Sequence, residues 1–545
     1  MSDPTDSLSP AATAAAPQGR SGAIFVFAGI LLSRILGLVR ESAFAFFIGN
    51  GGEADAWRAA FRIPNALQNL LGEGVLSASF IPVYASLMAK GEDEEAGHVA
   101  GAIGALLALL TSVLVLFGVV LAPLIVAVIA TGFHGEKREL TIAVVRVLFP
   151  GAGLFVMSAW CLGILNSHRR FFLSYAAPVV WNLAMIVALV VGGRTALPAR
   201  LVVIAAWGSL IGAALQLLIQ LPTVLRLATH MRFVLDARRE SVRTVVRNFV
   251  PVFIGRGVVQ ISVFVDSWLA SWIHAGVGIS AGMAGGAVSA LGYAQILYTL
   301  PISLFGMSVS AAELPAMSTA TGERDEVARQ LRERLQRGLR QIAFFVVPSA
   351  AAFLALGDVI AAALFQSGRF THDDAIWVWG TLAGSAVGLL ASTLGRLYSS
   401  TYYALRDTRT PLQYAIVRVV LTGALGALFA LKVPAWLGID AKWGVAGLTA
   451  SAGIAGWVEF AMLRRTLNGR IGVTGIDLGY LAKVWSAALI AAAGGYAIKL
   501  WIGTEHPKIT GLAVLMPFGI LYFAIAALLR VPEVHGVWSR FSRRR

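Results

Sequence analysis

The sequence predicts an all-α polytopic membrane protein with about fourteen transmembrane helices, arranged as two six-helix lobes related by a parallel pseudo-repeat and followed by two C-terminal helices. Three observations predict this fold: an apolar composition, recurring apolar runs, and basic residues concentrated in alternate loops. Of 545 residues, 57% are hydrophobic and only 13% are charged. Since a soluble domain is typically about 25% charged, this chain is not adapted to water. A transmembrane β-barrel would show short alternating segments instead.

The apolar runs are long enough to cross a bilayer, which takes about 20 residues each. The second run is interrupted near Gly72-Glu73-Gly74, so we expect a broken helix there. The single cysteine, Cys161, lies inside an apolar run, which excludes disulfides and a thiolate metal site. The predicted spans are residues 22–48, 54–89, 97–131, 141–164, 176–193, 201–226, 246–274, 283–316, 338–366, 374–404, 411–432, 443–464, 479–502 and 510–530.

Basic residues in the loops predict the orientation. They follow the even-numbered spans, as at His168-Arg169-Arg170 and Arg464-Arg465, and they form the C-terminal SRFSRRR. Loops after odd-numbered spans are short and less basic. The positive-inside rule therefore places both termini in the cytoplasm. The same distribution accounts for the net charge of +15 without a nucleic-acid partner.

An internal repeat predicts the two lobes. Ser77–Pro82 resembles Ser310–Pro315, an acidic turn follows each, and Arg40-Glu41-Ser42 in span 1 parallels Val265-Asp266-Ser267 in span 7. Both copies run in the same direction, which indicates a parallel repeat around a central cavity. The predicted divisions are a disordered cytoplasmic tail (1–20), an N-lobe (21–230), a C-lobe (231–470), a pair of additional helices (471–532) and a basic cytoplasmic tail (533–545).

Arginines inside the spans predict the chemistry of that cavity. Such a charge costs about 2.5–3.5 kcal/mol at membrane depth, so each must face a wet interior or an acidic partner. The guanidinium group binds phosphate in a bidentate manner and stays charged, which predicts a site for a large anion such as a pyrophosphate. Ser33 lies seven residues before Arg40 and shares its helix face. Internal pairing of single arginines is the alternative. The four arginines are Arg34, Arg40, Arg62 and Arg256.

Two carboxylates are candidate ligands for a coupling ion. Asp266 lies in span 7 and Asp407 beside span 11, and transporters often couple to Na⁺ or H⁺ through such groups. Ion pairs with Arg256 or Arg409 are the alternative. No His, Cys or acidic cluster has metal-ligand spacing, and the Gly-rich stretches lack a Walker lysine. We therefore expect no metal, ATP or other cofactor, and transport driven by an ion gradient or the membrane potential.

Several motifs resemble one known family. SRILGLVRESAFAFFIGNGGEADAWRAAFRIPNALQNLLGEGVLSASFIPVYA is similar to the N-terminal signature of the MurJ (MviN) family of lipid II flippases. LNSHRRFFLSYAAPVVWNL, LGYAQILYTLPISLFGMSVSAAELPAMS and YYALRDTRTPL resemble later signatures of that family. The resemblance extends over residues 22–530.

The resemblance implies a transporter of the multidrug/oligosaccharidyl-lipid/polysaccharide exporter superfamily, without covalent chemistry. It would move undecaprenyl-pyrophosphate-linked peptidoglycan precursor (lipid II) from the cytoplasmic to the outer leaflet of the bacterial inner membrane by alternating access, for cell wall synthesis. Family residues important for the substrate fall on Arg34, Arg40, Arg62 and the acidic Asp55. The last two spans would form a groove for the lipid tail. Implied partners are lipid II and membrane lipids, with the cell-wall synthesis machinery left open.

One departure from the family pattern lies in span 8. Ile296 and Thr299 stand where many relatives have an arginine and a glutamate. We hypothesise that Arg256 supplies the missing positive charge. The departure leaves a flippase for another undecaprenyl-linked glycan as the alternative function. A drug or cation antiporter would favour an acidic cavity, a membrane glycosyltransferase would need larger loops, and a scaffold would tolerate loss of the arginines.

Overall fold

The computed structural model describes residues 20–273, 285–319, 323–503 and 506–534. Within these residues the chain forms helices and no strands, which confirms the predicted all-α class. The predicted terminal tails fall almost entirely outside the described residues. The helices are α1 (Arg20–Ile48), α2 (Gly52–Leu71), α3 (Glu73–Ser79), α4 (Ile81–Ala89), α5 (Asp93–Val120), α6 (Ala122–Ile129), α7 (Gly135–Ser167), α8 (Phe171–Gly192), α9 (Pro198–Leu227), α10 (Glu240–Ser271), α11 (Ala287–Pro301), α12 (Ser308–Ser318), α13 (Arg324–Ala355), α14 (Gly357–Phe365), α15 (His372–Ala404), α16 (Arg409–Leu431), α17 (Val433–Leu437), α18 (Gly444–Ile471), α19 (Leu478–Ile502) and α20 (Pro507–Leu528).

Membrane-spanning helices account for most of the described chain. Twelve helical segments in that part are long and apolar enough to cross a bilayer. They coincide with predicted spans 2 to 6 and 8 to 14, while α1 and α10 cover predicted spans 1 and 7. With 29 and 32 residues, α1 and α10 also exceed the length that a bilayer requires. The prediction of a multi-span helical protein is therefore confirmed.

Two spans are irregular at corresponding points of the predicted repeat. The break in the second span falls at Gly72, which has an extended backbone between α2 and α3. A Cβ at Gly72 would overlap the Gln68 carbonyl oxygen, so a glycine suits this break. In the eighth span, a π-helical turn over Ile302–Met307 follows Pro301, which has no N–H to donate. Such turns are frequent at functional sites.

By contacts the chain divides into two compact units: residues 1–48 with 56–264, and residues 49–55 with 265–545. This division assigns most of α10 to the first unit, whereas the predicted C-lobe begins at residue 231. The two-lobe repeat stays a prediction. The core of the first unit surrounds Phe80 and Trp160, both fully buried. The Trp160 indole N–H donates to the Ala100 carbonyl oxygen at 3.1 Å, which joins α7 to α5.

Small residues allow the helices of the second unit to pack closely. A Cβ on Gly388 of α15 would overlap the backbone of Gly453 of α18, so these helices touch backbone to backbone. The last two spans attach to the same unit through polar contacts. The Tyr522 hydroxyl donates to the Phe344 carbonyl oxygen at 2.5 Å, and Lys499 pairs with Asp358 at 2.5 Å. The predicted role of these two spans as a lipid-tail groove stays a prediction.

Candidate functional site

An ion-pair network in the first unit holds one of the predicted arginines. Arg40 on α1 donates to Glu41 at 2.5 Å and to the Asn182 side-chain oxygen at 3.1 Å, and it lies over the Trp181 ring. Arg58 on α2 donates to the second Glu41 oxygen, also at 2.5 Å. Glu41 is only 8% exposed. Arg40 therefore has internal partners in this structure, as the pairing alternative expects.

The neighbouring candidates differ in exposure. Arg34 is exposed on α1, and Ser33 beside it is half-buried. Arg62 is half-buried on α2, four residues after Arg58, so both side chains leave the same face of that helix. Arg34 has the side chain most open to a ligand among the predicted arginines of α1 and α2.

Arg256 lies against the break in the second span. Its guanidinium occupies the space beside Gly74, where a Cβ would overlap it, and it donates to the Asn69 carbonyl oxygen at 3.5 Å. Glu73 is near enough for the two charges to interact. The side chain as a whole is exposed. The structure thus brings Arg256 to an irregular segment of the first unit, at the end of α2 and the start of α3.

Asp55 is part of a buried hydrogen-bonded cluster and is 1% exposed. Its two carboxylate oxygens accept from the backbone N–H groups of Gly286 and Ser289, at 2.7 and 2.8 Å. These groups belong to the first turn of α11, where a carboxylate also interacts favourably with the helix dipole. The Tyr293 hydroxyl donates to the Gly49 carbonyl oxygen at 3.0 Å. Asp55 therefore caps α11, and its contact with substrate stays a prediction.

The two coupling-ion candidates lie in different surroundings. Asp266 is half-buried on α10, ten residues after Arg256 on one continuous helix. That spacing is about 15 Å along the axis, too far for the ion pair that the sequence left open.

Asp407 lies in the loop before α16 and has structural partners. It accepts from the backbone N–H of Arg409 and pairs with Arg470 at 2.7 Å. Partial burial raises the pKa of Asp407, but hydrogen bonds from Thr410 and Arg470 outweigh this effect and lower the pKa to about 2. Asp407 thus stays ionised at neutral pH, which disfavours it as a proton carrier. A role with another ion stays a prediction.

Sequence reasoning missed several charged residues that the structure places in or beside ion-pair networks. Arg58 completes the Glu41 network, and its signal was the spacing of four residues to Arg62. Arg396, Arg418 and Glu459 lie inside spans of the second unit. Each interrupts an apolar run, so the argument applied to Arg34 would have found them.

Comparison with known families assigns the chain to one of them. A family model described as "Lipid II flippase MurJ" matches residues 44–522, most of the chain. The chain belongs to the lipid II flippase MurJ family. Membership confirms the predicted family and the predicted class of transporter.

Individual relatives agree along most of their length. The lipid II flippase MurJ of Burkholderia cenocepacia is 29% identical over 512 residues, which cover 91% of this chain and 94% of that protein. A probable lipid II flippase MurJ of Bdellovibrio bacteriovorus is 31% identical, over 82% of this chain and 81% of that protein.

Solved structures share the fold. A lipid II flippase MurJ in an inward closed conformation has a TM-score of 0.74 at 22% identity and covers 93% of this chain and 98% of its own. An inward-facing multidrug resistance MATE family transporter of the MOP superfamily has a TM-score of 0.64 at 20% identity, with 82% and 98% covered. These neighbours confirm the predicted fold.

Proposed function

We propose that the protein moves lipid II from the cytoplasmic to the outer leaflet of the bacterial inner membrane by alternating access. The observation that carries this proposal is the match of the MurJ family model to residues 44–522. The arginines of the first unit support it, because a guanidinium at membrane depth suits a pyrophosphate. Arg34 and Arg256 are exposed and available to a headgroup.

The substrate-contacting set that we propose is Arg34, Arg62 and Arg256, with Arg40 and Ser33 on the same helix as Arg34. Arg40 would exchange its Glu41 pairing for the pyrophosphate during the cycle. We further propose cytoplasmic termini, from the basic loops, and coupling to Na⁺, H⁺ or the membrane potential, with Asp266 as the candidate ligand. Delivery of lipid II to cell-wall synthesis enzymes outside the membrane follows from the same proposal.

The test is rescue of a conditional flippase-depleted strain, with outer-leaflet exposure of labelled lipid II as the readout. We expect the wild-type chain to restore growth and exposure together. An Arg34→Ala variant inserted in the membrane at the same amount should restore neither. Wild-type protein that is present in the membrane but leaves lipid II in the inner leaflet would contradict the proposed function.

The position of the Arg256 guanidinium beside Gly74 can be tested by a substitution at Gly74. We expect Gly74→Ala to reduce rescue, though less than Arg256→Ala, because a Cβ at position 74 overlaps the guanidinium and the flexible Arg256 side chain must move away from the break. Alanine favours a helix over glycine by about 1 kcal/mol, so a weakened α3 would not explain the loss. Growth of the depleted strain at matched protein amount measures the effect.

The matched control is Gly469→Ala on α18, where an added Cβ meets nothing within 4 Å. This variant should rescue like the wild type. If Arg256→Ala rescues fully, Arg256 does not supply the charge that span 8 lacks. If Gly74→Ala rescues fully and Arg256→Ala does not, the charge of Arg256 is needed but its position beside the break is not.

A further inference from the structure

Three spans of the second unit carry charged side chains that the proposed function does not use. Arg396 lies eight residues before the end of α15, and Arg418 lies nine residues after the start of α16. Because a short loop joins these two helices, both arginines lie about 12–14 Å from it along their helices, at matching depth. Glu459 lies in the interior of α18, which packs against both. Charges at such depth are costly and are functional by default.

Within this cluster, the Arg396 guanidinium has no carboxylate of its own to pair with. The Arg418 guanidinium donates to a Glu459 carboxylate oxygen at 3.1 Å. Arg396 lies close enough for its charge to interact with both of these residues and with Tyr298 on α11. Among the described residues, the Arg396 side chain makes no hydrogen bond or ion pair. Two guanidinium groups therefore share one carboxylate, which is already engaged by Arg418.

Comparison with the Glu41 network shows what is unusual here. That network also has two arginines and one glutamate, but each arginine donates to its own carboxylate oxygen. Around Glu459 only one arginine does so. The neighbouring α11 carries no charged side chain over Ala287–Pro301, so it offers no compensating acid. The cluster therefore retains a net positive charge, and the N–H groups of the Arg396 guanidinium can donate to a carboxylate or phosphate oxyanion.

We propose that Arg396, beside the ion pair of Arg418 with Glu459, forms an anion-binding site in the second unit that takes a phosphate or carboxylate group of the transported lipid. This inference rests on the proposed function for the identity of the lipid. Tyr298, whose hydroxyl donates to Ser392 at 3.4 Å one turn before Arg396, lies beside the same site.

The test measures binding of pyrophosphate lipids to purified full-length protein. Arg396→Gln should weaken binding of lipid II about tenfold, the effect of one charge-assisted hydrogen bond. Glu459→Gln should tighten it, because Arg418 then becomes available to the anion. A purely structural ion pair predicts no tightening. Arg138→Gln, which changes an exposed pair with Glu139 on α7, is the control and should leave binding unchanged.

The probes separate the two anionic groups. If Arg396→Gln weakens undecaprenyl pyrophosphate and lipid II equally, the site takes phosphate. If it weakens only lipids that carry the free peptide carboxylates, and not an amidated form, the site takes a carboxylate. Unchanged binding of every probe by Arg396→Gln overturns the proposal.

Failure of the proposed function can be distinguished from failure of the proposed anion site. A wild-type chain that does not rescue the depleted strain contradicts that function alone. Inorganic pyrophosphate, which has no lipid, then reports on the site: it should raise the unfolding temperature of the wild type more than that of Arg396→Gln, which keeps the arginines of the first unit. Equal protection of both proteins by pyrophosphate overturns the anion site.

Discussion

Replacing Glu41 by glutamine is expected to destabilise the protein by about 3–5 kcal/mol, the effect of removing one partner from a buried ion pair. Both carboxylate oxygens of Glu41 accept from arginines, one from Arg40 and one from Arg58. A neutral amide cannot balance two guanidinium charges inside a span. Asn182 and the Trp181 ring remain beside Arg40, but neither carries the negative charge that is lost.

The measurement is the thermal unfolding midpoint in detergent, followed by loss of the monodisperse peak in size-exclusion chromatography. The control is Glu139→Gln, the same change in an exposed pair with Arg138, which should cost less than about 1 kcal/mol. Adding Arg58→Gln to Glu41→Gln should recover part of the stability, since it removes one unpaired cation. Equal midpoints for Glu41→Gln and the control would show that Glu41 is not needed for stability.

The sequence predicted those features of the fold that depend on local pattern. Each apolar run became a helix because an unsatisfied backbone group is too costly in hydrocarbon. The break near Gly72 was predictable because the glycines at positions 72 and 74 weaken a helix at that point. Helix ends were less predictable: α13 begins at Arg324, well before the predicted span, since its first turns carry many charges and extend beyond the apolar run.

Partners of the charged residues could not be predicted from spacing. The sequence indicated that Arg40 needs a wet cavity or an acid, but Arg58 and Asn182 reach it from other helices. The alternative ion pair of Asp266 with Arg256 fails because α10 continues through both positions as one helix. Likewise Asp407 pairs with the distant Arg470. Such contacts depend on how helices pack, and that information is not local to any one motif.

Replacing Asp55 by alanine is expected to have the second large effect. The family resemblance and the structure give this residue different roles. The resemblance makes Asp55 a substrate residue, whereas the structure makes it the cap of α11. Alanine leaves the N–H groups of Gly286 and Ser289 buried without an acceptor, at about 1–3 kcal/mol each. Local opening at the start of α11 should therefore become at least tenfold more frequent.

Cysteine accessibility measures this opening directly. Ala287 is 1% exposed, and the native Cys161 is buried, so an Ala287→Cys reporter has little background. In intact cells a membrane-impermeant maleimide should label the reporter slowly, and at least tenfold faster when Asp55→Ala is added. The predicted orientation requires that this label enter from outside the cell.

A second capping aspartate provides the matched control. Asp440 accepts from the backbone N–H of Lys442 and is exposed, so Asp440→Ala removes a cap elsewhere in the second unit. It should leave labelling of the reporter unchanged. If Asp55→Ala abolishes lipid II transport while labelling stays slow, the carboxylate acts on the substrate and the cap is incidental. Faster labelling together with reduced transport, relative to the Ala287→Cys reporter alone, is the result that we expect if Asp55 acts as the cap of α11.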